Sequence, residues 1–140
     1  MNGRKPNRAE EAYIRGAMQS VGCVACNMLG YENDYPEPEQ YLSTHHNPDK
    51  GSKEQYCHFF SVPLCPGHHQ GVNVPPGKEP VRHRNYAHFK EKVGSDLDMA
   101  RFCWERLSLD AQDTIGEKTE IWSFDDLVKK DAEMRGQAQN

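Results

Sequence analysis

Two short ligand pairs constrain this chain more than anything else in it: Cys23-x-x-Cys26 in CVAC and Cys65-x-x-His68 in CPGH. Each pair can wrap one side of a metal ion, and together they make the Cys3His set that structural zinc takes at tetrahedral geometry. About forty residues lie between them, so a fold that satisfies both must carry two distant segments to one point. Composition supplies the motive. Of 140 residues, 36% are hydrophobic and the mean hydropathy is -0.93. A core drawn from that pool is thin, and a metal staple is a ready source of stability. Five cysteines, an odd number, fit poorly with a disulfide framework. A thioredoxin-like redox motif is the usual rival for a single CxxC, but no βαβ pattern surrounds this one. Cys57 lacks a partner at ligand spacing, and Cys103 falls in the apolar stripe of a helix and reads as core.

The chain reads as one small domain with flanking segments. No apolar run approaches the ~20 residues that cross a bilayer, and MNGRKPNRAEEAY has no secretory apolar stretch. The expectation is a cytoplasmic protein with no membrane association, where clustered cysteines hold metal. Net charge is -4, unevenly spread: residues 95–140 are acidic and residues 1–94 close to neutral. Phosphate contacts must then come from local cations. The candidates for DNA binding are Lys50, Lys53, Arg82 and Arg84, with Arg4, Lys5, Arg8, Lys78, Lys90 and Lys92 as further basic positions.

Apolar spacing predicts a helix over 8–20, stopped at Gly22, and a tight turn at CVAC. NMLGYENDYPEPEQ reads as loop, QYLSTHH as a short strand, and NPDKGSKEQ as turn. QYCHFFSVPL, residues 55–64, is the best strand in the chain. Pro66 suits the first turn of a helix carrying His68 and His69. HRNYAHFKEKVG resumes as helix and ends at Gly94. Ser95 caps a helix whose stripe is Leu97, Ala100, Phe102 or Cys103, and Leu107. Ser123 and Asp126 resemble a capping box for a last helix with a frayed tail.

Histidine supplies the remaining chemistry. With His68 assigned to zinc, the chain still has His45, His46, His58, His69, His83 and His88. His45 and His46 are adjacent at a strand end. Adjacent strand residues point to opposite faces, so one of the two can bind metal while the other faces a substrate. His69 directly follows the zinc ligand His68, where a closed tetrahedral site has no use for it.

The order CVAC, STHH, HFFSVPLC, CPGHH resembles the HNH, or ββα-metal, nucleases. More narrowly, C-x-x-C…HH…H-x6-C-x-x-HH…H, followed by an aromatic-bearing helix and Gly, resembles the phage Ref-type, RecA-dependent recombination nucleases over residues 22–94. The resemblance implies an α+β fold, with a small ββα-metal core at 22–94 holding a structural zinc knuckle. An N-terminal helix (1–21) and a C-terminal helical extension (95–140) flank it. It implies His46 as general base, and His45, His69 and His83 as ligands of a catalytic divalent ion, Mg2+ or Mn2+ or another. Zinc occupies the Cys23, Cys26, Cys65 and His68 set. In the broader superfamily an Asn stands where this chain has Phe60; His58, two residues earlier, matches the Ref-type pattern, with a base-orienting, substrate-contacting or structural role open. The implied substrate is DNA, including RecA-coated single-stranded DNA, in a phage or prophage setting. A non-catalytic zinc module binding nucleic acid or protein is the alternative; it leaves the His45–His46 pair unexplained. A zinc deaminase needs His-x-Glu, which no histidine here provides.

Overall fold

The computed structural model describes residues 5–33, 35–50, 54–75 and 79–139, with side chains to residue 136. The chain opens with α1 (Arg8–Ser20), where Asn7 and Glu10 form a reciprocal capping box, each side chain accepting the other's backbone N–H at 2.9 Å. Its buried face is Ala9, Tyr13, Ala17 and Met18. CVAC is not a plain turn: Cys23 caps a short helix, α2 (Val24–Leu29), closed by Gly30 in the left-handed region at φ 80°. The stretch expected to be loop also contains α3 (Pro38–Tyr41).

Two short strands follow. β1 (Ser43–His45) and β2 (Val62–Leu64) pair antiparallel, with Ser43 opposite Leu64, Thr44 opposite Pro63 and His45 opposite Val62. The expected strand over 55–64 is therefore only partly strand. Cys57–Phe60 forms a 3₁₀ turn instead, because its carbonyls are taken locally and from the core. His58 O accepts from the Ser61 hydroxyl at 2.6 Å, and Phe59 O accepts from Trp104 Nε1 at 2.9 Å. That turn buries both Phe59 and Phe60, which strand alternation would have sent to opposite faces. β2 runs into α4 (Pro66–Gln70), with Cys65 as its cap and Gly71 as its stop at φ 83°. Then come α5 (Tyr86–Lys92), α6 (Asp96–Arg106), α7 (Leu109–Thr119) and α8 (Phe124–Gln139). A small two-stranded sheet set among helices makes the chain α+β. No described helix is long and apolar enough to cross a membrane.

At the centre Tyr13 stacks on Trp104, with centroids 5.1 Å apart, and meets Phe59 edge-on at 6.0 Å. The Tyr13 hydroxyl donates to Ser61 O at 2.7 Å. Each such ring contributes about 1.5–3 kcal/mol through burial, and these three tie α1 and α6 to the segment leading into β2. Ser95 caps α6 in a box with Asp98, but the expected stripe is rotated. Leu97 is exposed, and Asp96, Met99, Ala100, Cys103 and Trp104 face inward. Asp96 displaces Leu97 because its carboxylate has two cationic or donor partners waiting inside. Ser123 accepts from Asp126 N at 3.1 Å, while the Asp126 carboxylate accepts from Trp122 N, one residue before the expected box partner.

Candidate metal centres and active site

Cys23 and Cys65 do the same local job. Each caps a short helix, and each sulfur accepts the backbone N–H three residues on: Cys26 N at 3.4 Å and His68 N at 3.5 Å. The β1–β2 hairpin and α2 then converge, so that Cys26 Sγ lies 3.9 Å from Cys65 Sγ and 3.3 Å from His68 Nδ1; Cys65 Sγ is also 3.3 Å from that nitrogen. All four ligand atoms fall within 4.8 Å of one another. With Zn–S near 2.3 Å and Zn–N near 2.0 Å, a tetrahedral ion needs ligand–ligand edges of roughly 3.5–3.8 Å. The set fits.

Its electrostatics agree. Hydrogen bonding with Cys26 and Cys65, reinforced by burial, drives the Cys23 thiol far above its ordinary pKa. Donation from Cys23 and Cys26 drives Cys65 far below. Burial alone would lower the His68 pKa, but Cys26 and Cys65 outweigh it and bring it to about 10. The buried sulfurs and His68 share and compete for protons at close range, protons that a bound dication would displace. Outside it, Glu79 Oε1 lies 3.2 Å from His68 Nε2, and Tyr31 donates to Glu79 Oε2 at 3.1 Å. A carboxylate on the second nitrogen is the usual way to fix a ligating imidazole. Cys57 and Cys103 are buried elsewhere; burial pushes the Cys103 thiol up to about 12.

The second cluster is made of His45, His69 and His83, whose ligand atoms also lie within 4.8 Å of one another. β1 delivers His45, α4 delivers His69, and His83 comes from the segment before α5, since the helix expected from His83 onward begins only at Tyr86. That segment docks onto α4 through its backbone: Arg82 N donates to His68 O at 2.7 Å and His83 N to His69 O at 3.1 Å. His69 Nε2 and His83 Nε2 are 3.0 Å apart, and Ser43 Oγ is 2.6 Å from His69 Nδ1. Burial first, then the neighbouring His45 and His83, lowers the His69 pKa to about 4; burial and His45 lower that of His83. Unprotonated imidazoles with converging lone pairs suit a divalent ion.

Asp96 was not legible as a site residue. It is buried, with Oδ1 3.0 Å from His45 Nε2 and both oxygens held by Arg82, Nε to Oδ1 at 3.0 Å and the terminal nitrogen to Oδ2 at 2.8 Å. Burial would raise its pKa, but hydrogen bonds from His45 and Arg82 prevail and take it to about 2. Arg82 also lies over the Tyr86 ring at 3.7 Å. In sequence, Asp96 looks like any acidic residue in the first turn of a helix.

His46, one residue past β1, is exposed, and its nearest ring neighbour among the described residues is His58, at 5.6 Å between centroids. Partial desolvation, then His58 and His45, lowers the His46 pKa. His58 is buried in the 3₁₀ turn rather than on a strand face. His88 sits on α5, outside both clusters. The expected phosphate-binding cations have other engagements. Arg82 is buried against Asp96, Lys50 donates to Asp131 at 2.8 Å, and Arg84 bonds the carbonyls of Val74 and Gly71 at 3.1 and 3.3 Å while remaining exposed. Lys53, Lys78 and Arg4 lie outside the described residues.

Comparison with curated proteins finds no match. A family model described as recombination enhancement, RecA-dependent nuclease matches residues 7–108. The match begins at Asn7, the cap of α1, spans both metal-ligand clusters and the β1–β2 pair, and ends just before α7. With that extent covered, the chain belongs to the RecA-dependent nucleases of recombination enhancement.

Proposed function

We propose that the chain is an HNH-type endonuclease that hydrolyses DNA phosphodiester bonds, with His46 as general base, a structural zinc at Cys23, Cys26, Cys65 and His68, and one catalytic divalent ion. His45, His69 and His83 are the residues to hold that ion, which when bound supplies positive charge to the scissile phosphate and leaving oxygen. His46 takes the proton of the attacking water, and its lowered pKa leaves it unprotonated and able to accept at neutral pH. Asp96 holds the His45 ring by Nε2, which leaves Nδ1 as the donor atom, and Arg82 keeps Asp96 ionised. Arg84 and Lys53 are the sequence candidates best suited to the DNA backbone, since Arg82 and Lys50 are engaged internally. The DNA is met in recombination, with RecA-coated single strands as the proposed context.

The observation that carries this reading is the splitting of two adjacent pairs. His68 belongs to the sulfur cluster and His69 to the histidine cluster; His45 is buried in that cluster while His46 faces solvent. A zinc module that only binds has no need of the second set. The test is cleavage of plasmid and single-stranded DNA by zinc-loaded protein, with and without added Mg2+ or Mn2+. Strand breaks that depend on the added ion are expected. Zinc content of one per chain, with no second divalent site and no cleavage, would favour the module.

A further inference from the structure

A helix outside the family match grips the connection between His46 and His58 at two points, Asp49–Lys50 and Glu54. Asp131 of α8 is 4% exposed. Its Oδ2 accepts from Lys50 Nζ at 2.8 Å and from Arg135 Nε at 3.1 Å. Arg135 reaches on to the Asp49 carbonyl at 3.3 Å and to the Glu54 carboxylate. The Lys50 ammonium also lies 4.3 Å from the Phe60 ring centroid, and its side chain is only 16% exposed. Lys50, Asp131, Arg135 and Glu54 thus form one alternating chain of charge. It ties α8 to a point four residues after His46 and to another four residues before His58.

We infer that Asp131 and Arg135 are positioning residues for the His46–His58 face of the active site, which makes α8 a working part of the nuclease. The inference rests on the reading of His46 as base. Exposed ion pairs are worth little, but this one is mostly out of water, where removing one partner strands a charge and is strongly felt. The geometry has a clear use. His46 lies one residue beyond the last pair of the sheet register, His45 with Val62, so the path after it helps decide where the imidazole stands. A misplacement near 1 Å in a catalytic group can cost on the order of 100-fold in rate. The same pairing explains why Lys50 is a poor phosphate contact: its ammonium is already enclosed by a carboxylate and an aromatic face.

The test uses the full zinc-loaded chain with Mn2+ and three single variants, Asp131→Asn, Lys50→Met and Arg135→Gln, plus the double variant Lys50→Met/Asp131→Asn. Two readouts are taken: steady-state cleavage, and hydrogen–deuterium exchange of the amides around residues 47–50 and 54–58. The expected result is faster exchange there with α1 and α6 unchanged, and kcat down roughly 10- to 100-fold. KM and Mn2+ affinity should stay within about twofold of the parent, as a positioning role does not touch ground-state binding. The double variant should be no worse than the poorer single one, because both remove the same link. Unchanged exchange overturns the inference, as does unchanged kcat. A Lys50→Met effect confined to KM and its salt dependence also overturns it and makes Lys50 a phosphate contact. If Asp131→Asn fails to fold, Arg135→Gln, at a more exposed position, gives the same readouts. His46→Ala run alongside separates the two claims: if it cleaves like the parent the site reading falls, while the exchange data still decide whether α8 restrains the loop.

Discussion

Asp96 Oδ1 and His45 Nε2 are 3.0 Å apart, and both side chains are buried, His45 at 3% exposure and Asp96 at 5%. The first residue of α6 and a strand-end histidine, 51 positions apart in sequence, are thereby locked into one unit. The contact turns Asp96 inward on α6, leaves Leu97 outward, and engages the Nε2 of His45.

Asp96→Asn should weaken divalent-ion binding by about 10- to 100-fold, the usual worth of a carboxylate behind a ligating histidine. Isothermal titration with Mn2+ checks it, with zinc content as the control. The change also leaves the Arg82 guanidinium buried against a neutral amide, so a stability loss of about 3–5 kcal/mol is expected. Serine at position 43 offers a gentler probe. Ser43→Ala removes the hydroxyl 2.6 Å from His69 Nδ1 and should lower ion affinity while zinc content and fold stay intact.

Zinc removal should unfold the protein rather than merely inactivate it. On the proposed reading, four ligands from two distant segments would hold α2 against α4, and metal-binding free energy at such sites is folding free energy. Chelation at neutral pH should lower Tm sharply and, because unfolding exposes the buried Cys57 and Cys103 along with Cys23, Cys26 and Cys65, make all five thiols reactive to a thiol reagent. Cys65→Ser should give insoluble or poorly folded chain. A chelated protein with the parent's Tm would contradict this.

Tyr13→Phe tests the aromatic centre. The ring stays against Trp104 and Phe59, but the hydroxyl's 2.7 Å bond to the buried Ser61 carbonyl is lost. A buried acceptor left without its donor costs about 1–3 kcal/mol, to be read by urea unfolding with the m-value unchanged.

How much of this was legible in the sequence depends on whether the cause was local. α1 runs over the expected residues because its periodicity and caps are local, and Pro66 and Gly71 bracket α4 for the same reason. The Cys3His set was legible because spacing exposes it, whereas the His45, His69 and His83 set came from the family resemblance; the candidate ligand atoms of each set lie within 4.8 Å of one another. Distant partners explain the failures. Trp104 and Ser61 draw the backbone near Phe59 into a 3₁₀ turn, and His45 with Arg82 pulls Asp96 inward. Asp131, some 81 positions away, captures Lys50. α7 has little apolar periodicity, with Ile115 and Gly116 its buried residues. It is held by packing, and the Trp122 ring fills the space a Cβ at Gly116 would occupy.

The most direct measurement compares His46→Ala with His45→Ala at saturating Mn2+, on proteins shown to fold and to hold one structural zinc. Loss of a general base costs roughly 10²- to 10⁴-fold in rate, so His46→Ala should fall by that factor with Tm, zinc content, Mn2+ affinity and DNA affinity unchanged. His45→Ala should instead bind Mn2+ more weakly and recover part of its rate as the ion is raised. If His46→Ala cleaves as fast as the parent, His46 is not the base, and the two-centre mechanism is contradicted at its core.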